Sequence, residues 1–428
     1  MKLIQQAFYN LRRQPVIAAV TIIGTALSIF LVMVVVMMQQ VKVAPFAPES
    51  NRDRFLHYSF VSFGFKEWGN VEENNSNCPM SFRMVKELFY PLETPEAVTA
   101  YTIDAGVMSV GLAKQKPFAA DVRETDHNYF NVFDFSFVAG TPFGKTDFEA
   151  GLSKAVIDSN VANRLFGTTD VVGREFLLNN AVYTVAGVVK PVSPIATKAY
   201  AQVWINTTST NTPDNTWALP AGYYSVTILA PEGRMDEVRE EFNVRFAQYQ
   251  KEIGREGYEI LNRHRPYDQE TQATSFSANN EPDVKGARRQ RWIIFAILLI
   301  VPAINLSSMT HSRLRQRISE LAVRRAFGAT RLNTLLSIIN ENFVITLIGG
   351  ILGLILSVVM AFCFNRLIFA QDFTLFLTPP SVNPSMLLQW STFGWALLFC
   401  FVLNLLSSAI PAIQMSRVSL VTALRGGK

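Results

Sequence analysis

Four long apolar runs constrain the fold of this chain more than any other feature of its sequence. The first run is Val16–Met38, and its 23 residues can cross a hydrocarbon layer of ~30 Å as a helix. The other three begin near Trp292, Leu335 and Met386, and each reaches the length of about 18 residues expected of a membrane span. Buried helices of a soluble protein would need amphipathic helices around them, and the gaps between the runs contain none. We therefore predict four transmembrane helices.

The first run has a competing interpretation as a cleaved signal peptide, because Lys2, Arg12 and Arg13 precede it. The apolar part of a signal peptide has only about 7–15 residues and is followed by a small-residue cleavage site. This run is longer, and Val41-Lys42-Val43 follows it. The sequence therefore favours a membrane span.

Charge divides the chain into an acidic insertion and a basic frame. Residues 41–287 contain 31 of the 34 acidic residues and 23 of the 39 basic ones, so this segment has a net charge of −8. The remainder has 3 acidic and 16 basic residues, a net charge of +13. This asymmetry excludes a homogeneous soluble enzyme and indicates a membrane protein with a large water-exposed insertion. Because the basic charge follows topology, we expect no nucleic-acid partner.

Basic residues in short loops predict the orientation of the spans. They lie before the first run, between the second and third, and after the fourth: Lys2, Arg12, Arg13, Arg313, Arg315, Arg317, Arg324, Arg325, Arg331, Arg417, Arg425 and Lys428. Both termini are therefore predicted to be cytoplasmic, with the acidic insertion outside. Arg288, Arg289 and Arg291 oppose this locally, but they end a loop too long for the rule to apply strongly.

The predicted fold class is an α-helical membrane protein with four transmembrane helices in a 1+3 arrangement and a large α+β extracytoplasmic domain after the first helix. The expected segments are a cytoplasmic start 1–14, helix 15–40, outer domain 41–287, helix 288–311, cytoplasmic loop 312–334, helix 335–365, short outer loop 366–385, helix 386–413 and cytoplasmic tail 414–428.

Local patterns in the insertion predict a mixture of strands and helices. Asn179-Asn180 between two β-rich segments suits a tight hairpin turn that needs positive φ angles. A short helix at Asn160–Phe166 is expected to end at Gly167. Further elements are predicted at Phe55–Phe65, Lys154–Ile157, Glu175–Leu178 and Val182–Val189 as strands and at Arg234–Gln250 as a helix.

No pattern of residues indicates catalysis or a metal site. The stretch from Gly140 to Lys145 looks like a phosphate-binding loop, but it has three residues between its glycines where four are needed. Cys78 is the only cysteine of the insertion, and the chain has no closely spaced Cys and His residues suited to zinc. We therefore predict that the chain is not an enzyme and binds no metal.

The most informative segment lies between the second and third runs. Between Ile318 and Phe327 the apolar residues fall on one face of a short helix, and Glu320 and Arg324 form a favourable i,i+4 pair. Gly328 is expected to end this helix. An amphipathic helix at this place suits either a lipid anchor or contact with a cytoplasmic partner.

The run ELAVRRAFGATR at Glu320–Arg331, followed by Gly349-Gly350 and Gly353, resembles the permeases of the MacB-like and FtsX-like family of ABC systems. Further resemblance is carried by Asn10–Gln14, Ala409–Ala412, Leu420–Arg425, Ala155–Gly167, Val172-Gly173 and Tyr183–Val188. The similarity extends over nearly the whole chain.

This resemblance implies a permease subunit that works as a homodimer with cytoplasmic ABC ATPase subunits. It assigns the ATPase contact to Glu320, Leu321, Arg324, Arg325 and Gly328. MacB-type exporters carry an ATPase segment in the same chain, and this sequence shows none. The resemblance therefore implies that ATP and Mg²⁺ bind to a separate ATPase and that this chain holds no cofactor.

The implied location is a bacterial inner membrane with the large domain in the periplasm, in contact with membrane lipid. Export or extrusion of a substrate is the first function, with a periplasmic adaptor and an outer-membrane channel as further partners. The alternatives are a signalling subunit that regulates a periplasmic partner such as a cell-wall hydrolase, and a lipoprotein-releasing permease.

Small residues four apart suit close helix packing in lipid. Gly24 with Ser28, and Gly349 with Gly353, form two such pairs. They predict a dimer with the first and second spans near its interface, or packing within one bundle. The sequence also suggests that the outer domain joins the membrane only through Val41–Phe46 and Lys285–Trp292, as a paired stalk or as a flexible tether.

Overall fold

The computed structural model describes residues 15–212, 219–275, 278–298, 300, 330–369, 376–382 and 386, with 393–395, 397–398, 401–402 and 405. The chain divides into two compact units. The membrane unit comprises Met1–Gln40, Lys285–Ile368 and Asn383–Lys428, and the outer unit comprises Val41–Val284 and Phe369–Val382.

Long apolar helices form the described part of the membrane unit. Helix α1 is Pro15–Val43, whose last three residues belong to the outer unit, and residues 284–298 are also helical. Among the described residues, two segments are long and apolar enough to cross a membrane, Ala18–Val43 and Ile339–Cys363. Most of the predicted second and fourth spans lies outside the described residues, so the 1+3 arrangement stays a prediction.

Fourteen strands are described in the outer unit: β1 Phe55–Tyr58, β2 Val61–Phe65, β3 Ser76–Cys78, β4 Ala97–Thr102, β5 Gly106–Gly111, β6 Phe118–Thr125, β7 Phe137–Gly140, β8 Lys154–Asp158, β9 Glu175–Leu178, β10 Ala181–Val189, β11 Val203–Asn206, β12 Tyr224–Leu229, β13 Tyr258–Leu261 and β14 Tyr267–Asp268. Eleven of them form one sheet, in the order β11-β8-β10-β9-β5-β6-β4-β12-β1-β14 with β7 beside β10. Strands β13, β2 and β3 form a second sheet.

The helices after α1 are α2 Phe82–Met84, α3 Tyr129–Val132, α4 Lys145–Glu149, α5 Ser159–Phe166, α6 Met235–Arg255, α7 Gln269–Thr274, α8 Arg331–Cys363 and α9 Asn365–Ile368. Short helical turns of other types occupy Arg52–Arg54, Lys66–Trp68, Val85–Phe89 and Thr207–Ser209. Helix α8 begins after Thr330, whose side chain accepts a hydrogen bond from the amide of Asn333 at 3.2 Å.

Two hydrophobic cores stabilise the outer unit. Strand β11 pairs with both β8 and β6, which closes six strands into a ring filled by aliphatic side chains such as Val122, Ile157 and Val203. The second core is rich in aromatic rings and lies between the rest of the large sheet, the small sheet and helix α6. Aromatic side chains bury large areas on folding, so the second core should contribute strongly to the stability of the outer unit.

The local predictions for the insertion are mostly confirmed. Asn179 and Asn180 have φ angles of 46° and 68° in a turn between β9 and β10. Helix α5 ends at Gly167, which has a φ of 72°. The predicted single strand Phe55–Phe65 is wrong, because it is two strands, β1 in the large sheet and β2 in the small one.

Candidate functional site

The site begins where helix α1 ends. A helix leaves its last carbonyl groups without partners inside the helix, and a cation near them is favourable. Arg52 Nη1 donates to the carbonyl of Val41 at 2.6 Å and to that of Ala44 at 3.2 Å. The side-chain amide of Gln269 donates to the carbonyl of Lys42 at 2.7 Å. Side chains of the outer unit therefore fix the end of α1.

Arg52 is held by a buried ion pair with Glu49. The side chains of both residues are only 2% exposed, and the Arg52 Nη2 atom lies 2.6 Å from Glu49 Oε2. The other carboxylate oxygen of Glu49 accepts hydrogen bonds from the amides of Lys198 and Ala199, at 2.9 and 3.0 Å. The guanidinium also lies over the ring of Phe46, 4.1 Å from its centre. Through this ion pair, the residues that follow helix α1 are bound to the segment 193–200.

Arg123 of strand β6 holds the same segment from the other side. Its buried guanidinium donates to the carbonyl of Tyr200 at 2.9 Å and to that of Thr197 at 3.1 Å. It also reaches the carbonyl of Thr102 in β4 at 2.6 Å. Because buried polar groups need partners, these hydrogen bonds fix the backbone of segment 193–200 against the sheet.

Titratable groups near this segment have shifted pKa values. Burial, followed by the positive charge of Arg123, lowers the pKa of Lys198 to about 8, and its ammonium group donates to Ser59 Oγ at 3.0 Å. Burial and then the charge of Lys198 lower the pKa of His57 to about 3. His57 is therefore neutral at physiological pH, where its Nε2 atom lies 2.8 Å from Gln269 Oε1.

We name Glu49, Arg52, Asp121, Arg123, Lys198 and Tyr200 the base cluster. Asp121 and Tyr200 are buried, and the Tyr200 hydroxyl donates to the Asp121 carboxylate. The cluster contains charged groups but no nucleophilic side chain beside a general base for catalysis. Its geometry therefore suits a structural joint. Among the described residues, no three His, Cys, Asp or Glu side chains lie close enough together to hold a metal ion.

A polar cleft of about 300 Å³ also lies in the outer unit, lined by residues that include Arg239, Tyr267 and Thr271. Two close pairs of side chains lie in its lining. Arg239 lies 3.2 Å from Asp268, and His264 lies 2.9 Å from Glu281. These pairs occupy part of the polar lining of the cleft.

The glycine stretch that resembled a phosphate loop is a structural turn. Gly140 has a φ of 69°, and a β-carbon at this position would clash with the carbonyl of Ala186 in β10. Lys145 opens the five-residue helix α4 and lies 3.8 Å from Glu149.

The sequence-predicted site residues fall into two groups. The proposed ATPase-coupling residues Glu320, Leu321, Arg324, Arg325 and Gly328 lie outside the described residues. The helix-packing residues are described. A β-carbon at Gly349 would lie 2.8 Å from Thr25, and one at Gly353 would lie 2.6 Å from the Ala26 carbonyl.

Helix α8 therefore approaches α1 of the same chain through its two glycines. The second predicted pair, in α1, behaves differently. The Ser28 hydroxyl donates to the carbonyl of Gly24 at 2.6 Å. A β-carbon at Gly24 would meet no described atom within 4 Å. Of the two pairs, only the one in α8 makes a close backbone contact among the described residues.

Sequence reasoning missed the base cluster. Glu49 and the amide of Ala199 are 150 positions apart, and no local pattern connects them. A weak signal was present, because Glu49 and Arg52 are oppositely charged, three apart and directly beyond an apolar helix. Sequence reasoning also treated residues 366–385 only as a short loop, although part of that loop belongs to the outer unit.

Two known families match successive parts of the chain. Residues 17–244 match the family described as the MacB-like periplasmic core domain. Residues 292–420 match the family described as the FtsX-like permease C-terminal region.

Individual relatives are distant. The pyoverdine export ATP-binding/permease protein PvdT of Pseudomonas savastanoi pv. phaseolicola is 24% identical over 68% of this chain and 42% of its own length. The uncharacterized ABC transporter permease YknZ of Bacillus subtilis is 22% identical over 72% of this chain and 70% of its own length. The chain thus spans less than half of the first of these relatives.

Among solved structures, the extracellular domain of the ABC-type transporter YknZ from Gram-positive bacteria aligns with 48% of this chain and all of that domain, at 15% identity and a TM-score of 0.33. The family matches cover both the outer and the membrane parts of the sequence. The chain therefore belongs to the family of ABC-transporter permeases that combine a MacB-like periplasmic core domain with an FtsX-like permease region.

Proposed function

We propose that this chain is the permease subunit of a MacB-type ABC transporter and that a separate cytoplasmic ATPase drives movements of its outer domain. The observation that carries this proposal is the joint at the end of α1, where Arg52 and Gln269 bind the last helical carbonyls. A joint of directional bonds can pass a rotation of α1 to the outer unit, whereas a flexible tether cannot. ATP and Mg²⁺ would bind to the ATPase.

We propose substrate export as the function of this permease. It is supported by the family and by PvdT, whose name describes pyoverdine export. Signalling to a periplasmic hydrolase and release of lipoproteins are the alternatives, and they require different partners on the outer side.

We place the ATPase contact on the segment 318–328. Its apolar face consists of Ile318, Leu321, Ala322 and Ala326, and such small residues suit close docking of a protein. A lipid anchor would carry large aromatic side chains toward the acyl chains. Arg324 and Arg325 would pair with acidic groups of the ATPase, and truncating one partner of such a pair can cost about 2–5 kcal/mol.

The assembly we propose is a homodimer in a bacterial inner membrane, with both termini in the cytoplasm and the outer domain in the periplasm. The glycines of α8 already pack against α1, so a dimer contact requires another surface. Helix α1 carries exposed apolar side chains at helical spacing, among them Val20, Ile23, Leu27 and Leu31. This stripe faces either lipid or the second copy.

Affinity purification of the full chain in mild detergent tests the proposal. We expect an ABC ATPase to co-purify and to hydrolyse ATP. The double reversal Arg324→Glu with Arg325→Glu should abolish that association, and the matched reversal Arg417→Glu with Arg425→Glu in the tail should preserve it. An adaptor or channel among the co-purified proteins supports export, and a hydrolase supports signalling. If no ATPase co-purifies with the unaltered chain, the proposal is wrong.

A further inference from the structure

The segment Phe376–Val382 belongs to the outer unit although it follows helix α8 of the membrane unit in sequence. The sequence predicted only two connections between the outer domain and the membrane, through Val41–Phe46 and Lys285–Trp292. That prediction is wrong, because Phe376–Val382 also belongs to the outer unit and makes contacts inside it. These contacts are specific and lie on the base cluster and its neighbour Ser193.

The first contact is made by a buried carboxylate. The amide of Leu377 donates to Asp121 Oδ2 at 3.0 Å, and the same oxygen accepts the hydroxyl of Tyr200. Asp121 is fully buried in strand β6. A buried carboxylate is costly unless donors surround it. The amide of Leu377 supplies one of the donors that the Asp121 carboxylate requires.

The second contact joins two serines in both directions. The hydroxyl of Ser193 donates to the carbonyl of Ser381 at 2.5 Å and accepts from the amide of Ser381 at 3.2 Å. The third contact is aromatic. The ring of Phe376 lies 4.6 Å from that of Tyr200, at an angle of 64°. Edge-on ring pairs of this kind add about 0.5–1.5 kcal/mol beyond their burial.

Apart from the bond to Asp121, these contacts are made with the segment 193–200. The same segment is bound by Glu49 and Arg52, which follow helix α1. Glu49 accepts the amides of Lys198 and Ala199, and Arg52 Nη2 donates to the carbonyl of Ile195 at 3.4 Å. One piece of backbone therefore holds both the end of α1 and the segment that follows α8. Displacing either segment would therefore disturb the backbone that binds the other.

We propose that Phe376–Val382 is a permanent second attachment, through which helix α8 acts on the outer domain together with α1. The inference rests on the proposed function, because it concerns how movement reaches the outer domain. Asp121, Ser193 and Tyr200 are positioning residues in this attachment. The segment stays docked throughout the transport cycle and is not a gate that opens.

A disulfide between positions 193 and 381 tests whether the attachment is permanent. The substitutions Ser193→Cys and Ser381→Cys are made in the full chain after Cys78, Cys363 and Cys400 are replaced by serine. We expect the pair to form a disulfide under mild oxidation, because the Ser193 hydroxyl contacts both backbone polar atoms of Ser381. The matched pair Val244→Cys with Ser381→Cys should form none within one chain, since Val244 lies exposed on helix α6.

The cross-linked transporter should keep its ATP-driven activity. If the 193–381 disulfide fails to form, the segment is not docked as described. If it forms and abolishes ATP turnover or substrate movement, the segment must undock during the cycle, and the permanent attachment is wrong.

Loosening the attachment is the complementary experiment. Phe376→Ala removes the ring contact with Tyr200, and we expect hydrogen exchange at the amides of Leu377 and Ser381 to become about 2- to 10-fold faster. ATP turnover should then be poorly coupled to substrate movement, while the ATPase still binds. The 193–381 disulfide should restore coupling in the Phe376→Ala chain. Unchanged coupling after faster exchange would overturn the inference.

The two proposals fail in different ways. If no ATPase associates with the unaltered chain, the proposed function is wrong, and disulfide formation and hydrogen exchange still decide whether the segment is docked. If the ATPase associates and the unaltered chain is coupled, a lack of effect from Phe376→Ala refutes the second attachment alone.

Discussion

The entry joint of the outer unit and the contact between α1 and α8 fix the chain by opposite means. At the joint, the charged side chains of Glu49 and Arg52 are buried and bind backbone groups in several directions. Between the two apolar helices, Gly349 and Gly353 allow close approach to Thr25 and Ala26. One contact depends on charge and direction, and the other depends on the absence of a side chain.

This difference follows from what surrounds each contact. In the water-exposed domain, buried polar groups must find partners inside the protein, and a mutation that leaves one alone is costly. In an apolar environment, helix association depends on close packing. We therefore expect the joint to be sensitive to loss of charge and the helix contact to be sensitive to added volume.

The largest expected effect is at the joint. Glu49→Ala leaves Arg52 buried without its counter-charge, and breaking a buried pair typically costs about 3–5 kcal/mol. Urea titration of the full chain in detergent, followed by hydrogen exchange of strand β6, measures this loss. Glu96→Ala is the control, because Glu96 pairs with Arg54 at a partly exposed site and should change stability by less than about 1 kcal/mol. Equal effects of the two variants would contradict the role assigned to the joint.

The free energy of unfolding should depend on pH because of the buried carboxyl group of Asp126. Burial raises the pKa of Asp126 from 3.8 to about 6, although Thr99 and the amide of Ala100 donate to it. The folded chain therefore binds the proton more tightly than the unfolded chain, so stability should fall as pH rises from about 4 to 6, by on the order of 2–3 kcal/mol.

Urea titrations of the full chain between pH 4 and 7 test this slope. Asp126→Asn should remove the contribution of residue 126 to the slope, whatever its effect on stability at a single pH. If the pH dependence of Asp126→Asn matches that of the unaltered chain, Asp126 is not its source.

Added volume should destabilise the helix contact by a smaller amount. Gly353→Leu places a side chain where a β-carbon already lies 2.6 Å from the Ala26 carbonyl, and overpacking of this kind costs about 1–3 kcal/mol. Gly24→Leu is the matched control, since a β-carbon there meets no described atom within 4 Å. Thermal unfolding in detergent compares them, and a Gly24→Leu loss as large as that of Gly353→Leu would refute the difference.

The smallest effect is expected for charge at the surface. Arg83 lies 2.8 Å from Glu87 and 3.2 Å from Glu256, but its side chain is half exposed. Arg83→Ala should therefore change the free energy of unfolding by only about 0–1 kcal/mol. A loss near that of Glu49→Ala would show that burial does not set the strength of the ion pairs.

Local chemistry made part of the fold predictable from sequence. Asn179-Asn180 fixed a hairpin because these residues tolerate positive φ angles, and Gly167 ended helix α5 for the same reason. The alternating apolar pattern of Phe55–Phe65 predicted one strand, because such a pattern does not reveal that the first strand ends at Tyr58. There the hydroxyl of Ser59 accepts from Lys198, far away in sequence.

The base cluster was unpredictable for a related reason. Its bonds join residues that lie far apart in sequence, such as Asp121 and Leu377. Several of these bonds use backbone amides and carbonyls, which any residue provides. The apolar runs, by contrast, carry their signal in every residue, so the two described long apolar helices were predictable from sequence alone.

The central claim is that ATP-driven movement reaches the outer domain through the joint at Arg52. Spin labels at Val244→Cys in both copies of the assembled transporter, in a background without native cysteines, measure the distance between outer domains. We expect this distance to change when an ATP analogue binds the ATPase. Arg52→Lys keeps the charge but loses the planar fork that reaches several carbonyls, so the change should shrink or disappear. An undiminished change in Arg52→Lys, or no change in the unaltered chain, would contradict the account.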